Sequence, residues 1–547
     1  MRIGICKVFF LQIIGLLIWQ IQSIDLFAQT LHSTSLNAFP IKNKGVPFIT
    51  NFSPQVYQGH DQNWSVAQDS QGILYVANTV GLLEYDGVSW RLLETPNKSV
   101  VRVVFLGKDG RLYVGAKGFL GYLTRDLVGQ VHITSLMDKI PPKARDFKDV
   151  WEIYETDAEG IVCRTSNQLM VVKGEKVKII RAKAKFSYLF MVKGEAFVRD
   201  KDSGTYKLVK GNLEKVDYLG DIQVKKAIPL DQHRTLLMTK RRLFVLKGKQ
   251  VAPFATHLNK FLTQGRLYSL IKINRDYVAI GTNRKGILII DTKGQPIQHL
   301  YQGNGLLGNN VFNLYVDRQQ NLWAALANGI TLVEIASPFT KLAGVPGAVY
   351  DTYLHQGYLM LGTSAGLLSM PWGSYQNPIQ DSSHSLVVSN ALHQVWDFQM
   401  AKQQLLAGYN PGIYLINKQT KGIAANPLNN YAQNAWTIVK IKGQPNHLLI
   451  GGTNGLYLLE WQDNQWQFKH AIKGFKHNSR YIQQRAPLEF WMSSDQHGLY
   501  KFRLNAALDK VTSVQLYNQK QGLPSNTYNR VYRVNGQNLV ATEKGIY

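Results

Sequence analysis

The chain has 547 residues, is 45% apolar and carries 62 Lys and Arg against 36 Asp and Glu, a net charge of +26. That length exceeds one ordinary domain, and the apolar content can supply a sizeable core. Of its two cysteines, Cys6 precedes the apolar N-terminal run, so Cys163 alone remains afterwards and no internal disulfide can form.

At the N-terminus, Arg2 and Lys7 flank the start of an apolar run from Val8 to Trp19, and Phe27-Ala28-Gln29 supplies a processing site. Residues 1–29 therefore read as a secretory signal, with an uncleaved anchor as the alternative. No other stretch approaches the ~18 apolar residues that a membrane-spanning helix needs.

From Asn63 onward a pattern recurs about twelve times, at intervals of roughly 37–49 residues. Each copy has an alternating apolar strand, an Asp/Gly turn and a second strand ending in a small residue and a polar pair. Gly-aliphatic-aromatic follows. The clearest copy runs from Asn63 to Trp90, and others start at Val101, Val150, Leu267, Val311, Val349, Val395, Trp436, Tyr481 and Tyr528. Two degenerate copies lie between Phe186 and Leu246, one without a clean Asp turn and one with Arg241-Arg242 in place of Gly. Four short strand patterns per repeat are the signature of a β-propeller blade.

About twelve blades exceed one ring, since propellers close at about four to eight. The expected fold is all-β, with tandem propellers. A first ring of about seven blades occupies 30–338, and a second of about five out of seven occupies 339–547 and is truncated. The junction falls in Ile335–Gly347, whose Pro and Gly residues interrupt the blade rhythm.

The positive charge is concentrated. Residues 101–293 hold 37 Lys and Arg against 19 Asp and Glu, whereas 339–547 hold 18 against 9. Such a field favours anionic partners. Export argues against nucleic acid and toward acidic or sulfated glycans, anionic headgroups or lipopolysaccharide; the alternative is a solubilising charge without a partner.

Propeller geometry sends the loops between second and third strands, and those between blades, to one face. The first ring then presents Asn78, Lys117, Arg164, Asn167, Lys240, Arg241, Arg242, Asn283, Arg284, Lys285 and Asn328, together with Lys98, Arg102, Arg145, Lys148, Lys183, Lys185, Lys225, Lys226 and Arg266. Arginine forks match carboxylate and sulfate geometry with paired hydrogen bonds. The second ring's loops are polar and less charged, suited to hydroxyls. Aromatic residues open many first strands, among them Trp64, Trp151, Tyr268, Phe312, Tyr350, Trp396, Trp436 and Tyr481. A repeated aromatic position usually packs between blades, yet the same faces can stack on sugar rings. The candidate ligand residues are Lys117, Arg164, Arg241, Arg284, Lys285, Arg102, Trp151, Trp396, Trp436 and Tyr481.

No catalytic constellation stands out. Glycoside hydrolysis needs two carboxyl groups about 5–10 Å apart, and Asp351, Asp397 and Asp495 are the acids that could meet. No metal-ligand spacing, nucleophile elbow or phosphate-binding loop is present, and no cofactor is implied. The visible chain reads as a binder.

The segments Asn63–Asp86, Val311–Ile330 and Tyr358–Leu368 resemble the two-component-regulator propeller repeat, and the opening from Gln58 to Arg91 is similar to the start of large exported bacterial sensors. That resemblance implies periplasmic propellers followed by a triple-tyrosine β-sandwich, a membrane helix, and a histidine kinase or DNA-binding output. It also implies a receptor homodimer, anchored by a segment beyond this chain, that senses glycan breakdown products. The expected function is thus the ligand-binding periplasmic region of an inner-membrane signalling protein, with an oligosaccharide as ligand. The alternatives are a secreted lyase or hydrolase of acidic polysaccharide, and a cell-surface scaffold. The family's propeller motifs are scaffold and carry over no ligand residue.

Overall fold

The computed structural model describes residues 45–547 except 127, 175, 343–344, 373–386, 389–392, 420–421, 429–430 and 432. The signal segment expected at 1–29 lies outside the described residues. The chain divides into two compact units, Met1–Ala343 and Gly344–Tyr547. Among the described residues, eleven sheets have four strands and one has three, and every strand pair within them is antiparallel. The architecture is a propeller-like repeat of four-stranded sheets. Among the described residues, no helix is long and apolar enough to cross a membrane.

Turn chemistry sets the strand lengths. In the first repeat, Asp69 Oδ1 accepts from the backbone N–H of Gln71 and of Ile73, each at 2.9 Å, and Gly72 takes a φ of +91°. A carboxylate that bonds the local backbone and a residue free to enter the left-handed region make a tight reversal. Strand Asn63–Gln68 therefore folds straight back as Leu74–Asn78. The two degenerate repeats form complete sheets as well, starting at Phe186–Val192 and Lys226–Pro229. In the second of these, Thr239 replaces the missing glycine turn, its Oγ1 accepting from the N–H of Arg242 at 3.0 Å.

In the first unit the first strands of successive sheets adjoin one another in chain order, and Val311–Val316 adjoins Asn63–Gln68. The last sheet takes its fourth strand from the start of the unit, with Ile49–Phe52 pairing from Ile49 opposite Val333 to Phe52 opposite Ile330. Asn63 reinforces this junction. Its buried Nδ2 donates to the carbonyl of Gly329 at 3.0 Å, while its Oδ1 accepts from Asn78 at 2.8 Å.

The core lies between neighbouring sheets. Val66, Val76 and Leu83 from the first sheet meet Trp323, Ala325 and Ile330 from the last. Val103 and Leu120 likewise meet Ile153, Cys163 and Met170. Each large aliphatic side chain buried this way contributes about 1.5–3 kcal/mol. Burial also pushes the Cys163 thiol well above its ordinary value, so it behaves as a small apolar side chain.

In the second unit the first strands again adjoin in order, from Val349–His355 to Arg530–Val534. Its outermost members are bare. Val349 and Leu354 on the first strand, and Tyr532 and Val534 in the last sheet with Tyr528 just before it, are exposed.

Candidate functional site

A backbone irregularity recurs where first strands begin. The register slips by one residue at Trp64, Arg102, Ser187, Tyr268 and Phe312 in the first unit, and at Tyr350, Trp396 and Tyr481 in the second. Trp151, Lys225 and Trp436 occupy the same place. Their N–H groups donate to the carbonyls of Arg164, Met238 and Gly451, the residues that pair with the next position along. A bulge leaves one residue out of the ladder and re-aims its side chain. Among the described residues, eleven of the twelve sheets therefore release one side chain from the pleat, at one repeated point.

In the first unit these side chains converge on two adjoining cavities of about 560 and 780 Å³, which share Trp151, Glu152, Lys225 and Tyr268 in their walls. The aromatic members form a belt in the smaller cavity. Trp64 stacks on Phe312 with ring centroids 4.6 Å apart, Phe312 leans on Tyr268 at 5.4 Å, and Trp151 meets Trp64 edge-on at 6.2 Å. The Arg102 guanidinium fills the gap between two rings, 4.2 Å from Trp64 and 4.9 Å from Trp151, and its Nε donates to Asp149 at 2.7 Å. The Lys225 amine sits 3.3 Å from the Tyr268 ring centre.

Charge in the larger cavity is one-sided. Its acids are Asp149, taken by Arg102, and Glu152, taken by Arg164. Lys225, Lys240, Arg241 and Arg266 also line it, and Lys226 lines the smaller cavity. Among the described residues, none of these five cations has a carboxylate partner. Desolvation with the charge of Lys226 beside it drives the Lys225 amine down to about 7, and burial lowers Lys226 as well. These cations lack the counter-charge that would satisfy them.

The candidates named from sequence divide accordingly. Arg102, Trp151 and Arg241 are brought together at the cavities. Arg164 also lines a cavity, but its side chain is buried, ion-paired with Glu152 and bonded through Nη1 to the carbonyl of Phe186 at 2.9 Å. Its guanidinium is spent on the protein rather than offered to a ligand. Lys117, Arg284 and Lys285 are exposed and line neither cavity. Asn78 is buried in the Asn63 network and is no rim residue. Lys225 stood among many basic residues in the sequence. Only the bulge singles it out.

Trp396, Trp436 and Tyr481 gather in the second unit around Arg480, which sequence reasoning missed. Its guanidinium carbon lies 4.7 Å from Trp396, 6.0 Å from Trp436, 5.1 Å from Tyr481 and 5.9 Å from Tyr350. Tyr350 stacks on Trp396 at 4.1 Å, and Asp495 stands 3.8 Å from Arg480. One position farther along, Asp351 accepts from the N–H of Phe398 at 2.8 Å and Asp397 from that of Ile438 at 2.6 Å. Burial raises both carboxyl groups above the usual carboxylate range, and the charge of Asp351 adds to the rise at Asp397. They staple neighbouring sheets, and Asp495 does not join them. In the first unit the same stapling is done by uncharged groups, as when Ser269 Oγ accepts from the N–H of Leu314 at 3.0 Å. Among the described residues, no group of acids, histidines and cysteines could hold a metal ion.

No protein-family model and no curated protein sequence matches the chain. Solved structures do. The extracellular domain of BT3049 from B. thetaiotaomicron, described as a hybrid two component system, aligns with a TM-score of 0.64 at 16% identity, covering 91% of this chain and 70% of that one. The extracellular domain of BT4673 from the same organism, also described as a hybrid two component system, aligns at 15% identity over 90% of this chain and 70% of that one, with a TM-score of 0.41. Virginiamycin B lyase from Staphylococcus aureus aligns at 10% identity over 52% of this chain and 99% of that one, with a TM-score of 0.41. The likeness to BT3049 shows a shared fold. The other two are too loose to bear on function.

Proposed function

We propose that this chain is the exported, ligand-binding sensor region of a transmembrane signalling protein, and that its first unit binds an acidic oligosaccharide. The observation that carries this reading is the cluster of Lys225, Lys226, Lys240, Arg241 and Arg266, without carboxylate partners, beside an aromatic belt. Flat rings take the apolar faces of sugars, and unpaired cations in a partly enclosed cavity take carboxylate or sulfate. The fold shared with the BT3049 extracellular domain supports both the sensor class and the exported location.

In this reading residues 30–338 form a closed propeller of about seven blades and 339–547 an incomplete second one. The return of Val311–Val316 to Asn63–Gln68 supports closure of the first, and the bare apolar faces at both ends of the second unit support missing blades. The receptor works as a homodimer and passes binding to a kinase or DNA-binding output. The ligand must therefore bind one signalling arrangement better than the other, since equal affinity for both shifts nothing.

Calorimetry tests the binding reading. Oligogalacturonate and heparin-derived oligosaccharides should bind the wild-type chain, and neutral oligosaccharides of equal length should bind far more weakly. Equal or stronger binding of the neutral series would sink it.

A further inference from the structure

The two cavities share one wall, and Lys225 stands in it. Its amine rests on the Tyr268 ring at 3.3 Å and has no carboxylate partner among the described residues. The groups that face it are mostly cationic: Lys226 beside it, Lys240 from its own sheet, and Arg266 at the entrance to the Tyr268 strand. Tyr188 faces it from the preceding sheet and Tyr268, whose hydroxyl burial raises above its ordinary value, from the following one. The one acid close enough to help is Glu152, already paired with Arg164. Any ligand that occupies both cavities must pass this amine.

We propose that Lys225 is the residue that meets the ligand's acid group, with one sugar ring on the Trp64–Phe312–Tyr268 belt and the next at the Lys240–Arg241–Arg266 rim, and that binding draws a proton onto the amine. The proposal rests on the acidic-oligosaccharide reading above and adds the ligand's length, its orientation and a coupled proton. Each cavity falls within the ~300–1,000 Å³ that accommodates a small ligand, so a chain of at least two rings is needed to fill both. The belt has no unpaired cation apart from Lys225 and Lys226, which places the apolar ring face inward and the remaining charge outward.

The proton follows from electrostatics. Burial and like-charged neighbours hold the free amine at about 7. A carboxylate or sulfate placed against it favours the ammonium form, so its affinity for the proton rises on binding. Above about pH 7 the free protein has lost that proton and must take it up to bind. Affinity therefore weakens as pH rises through 7 to 9, and near pH 6 the amine is already charged and uptake vanishes.

Calorimetry with trigalacturonate, in buffers of unlike ionisation enthalpy, tests this on the unmodified protein. Uptake of about one proton per ligand is expected at pH 8 and little at pH 6. Lys225→Arg should keep binding and abolish the uptake, because its charge is permanent. Lys225→Met should abolish the uptake and weaken binding about 10–100-fold at pH 6, the range for losing one charge-assisted contact. Wild-type binding without proton uptake at pH 8 overturns the inference, as does undiminished binding by Lys225→Met, and either leaves the sensor reading standing. Failure of both trigalacturonate and a heparin-derived tetrasaccharide to bind the wild type overturns the two together.

Discussion

In the unit ending at Ala343, the bulged side chains surround open space: Trp64, Phe312, Tyr268 and Trp151 leave a belt, and Lys225 faces a cavity. In the unit beginning at Gly344, Tyr350, Trp396, Trp436 and Tyr481 close around the Arg480 side chain. The backbone device is shared, and what differs is the company the released residue keeps. Arg102 is a tightly paired wedge that leaves five cations elsewhere without partners, whereas Arg480 is itself the occupant of its aromatic surround. Repeated irregularities at the heads of the first strands thus deliver side chains to a common point in each unit, and the neighbouring charges decide whether the cation there is left unpaired, as Lys225 is, or stands beside a carboxylate, as Arg480 does.

The sharpest way to break this contrast is charge reversal. Arg241→Glu combined with Arg266→Glu should lower the affinity for oligogalacturonate by roughly 100-fold or more, because attraction at the rim becomes repulsion. Arg480→Glu should change it by less than about threefold. A larger loss from the second-unit variant would invert the comparison and move the anion site. Double-mutant cycles in urea come next. The Arg102–Asp149 pair, 2.7 Å apart and with both side chains under one-fifth exposed, should show a coupling of about 1–2 kcal/mol. Arg480–Asp495, at 3.8 Å and with Asp495 41% exposed, should yield only about a few tenths.

The stapling residues divide the units by pH. Asp397 is raised by burial, with the Asp351 carboxyl beside it, to about 7 from an ordinary 3.8. A carboxyl that the fold prefers protonated contributes stability fully below about pH 4 and loses it as pH rises to about 7. Hydrogen exchange at Phe398 and Ile438 should therefore quicken across that interval beyond its intrinsic pH dependence, and Asp397→Asn should remove the extra trend. Leu314, which donates to the uncharged Ser269, should show none. The smallest effect is expected at the exposed cations. Lys117→Ala and Arg284→Ala should alter stability by less than about 0.5 kcal/mol and affinity at physiological salt by no more than about threefold. A tenfold loss at either would restore the outer loops as the binding rim.

The repeat was legible because it rests on local chemistry. Asp69 and Gly72 make the same turn wherever they occur, and the alternation of Asn63–Gln68 follows from one face being buried. Even the degenerate copies at Phe186 and Lys226 were readable from length and alternation. The site was legible in its aromatic half, since Trp64, Trp151, Tyr268 and Phe312 recur at one place in the pattern. Its charged half was not. Arg164, Arg241 and Arg284 look alike as loop cations, yet one is buried against Glu152, one lines a cavity and one points to solvent. Arg480 gave no signal beyond its place before Tyr481.

The order of the residues by itself determined the sheets, their turns and the position that carries an aromatic ring in many of the repeats, because these depend on neighbours within a few residues. Which cations kept a partner and which were left facing empty space was decided only by the tertiary structure. Coulomb energies depend on distance and burial, and Lys225 meets Tyr268, Glu152 and Lys240 across stretches of chain that no local pattern connects.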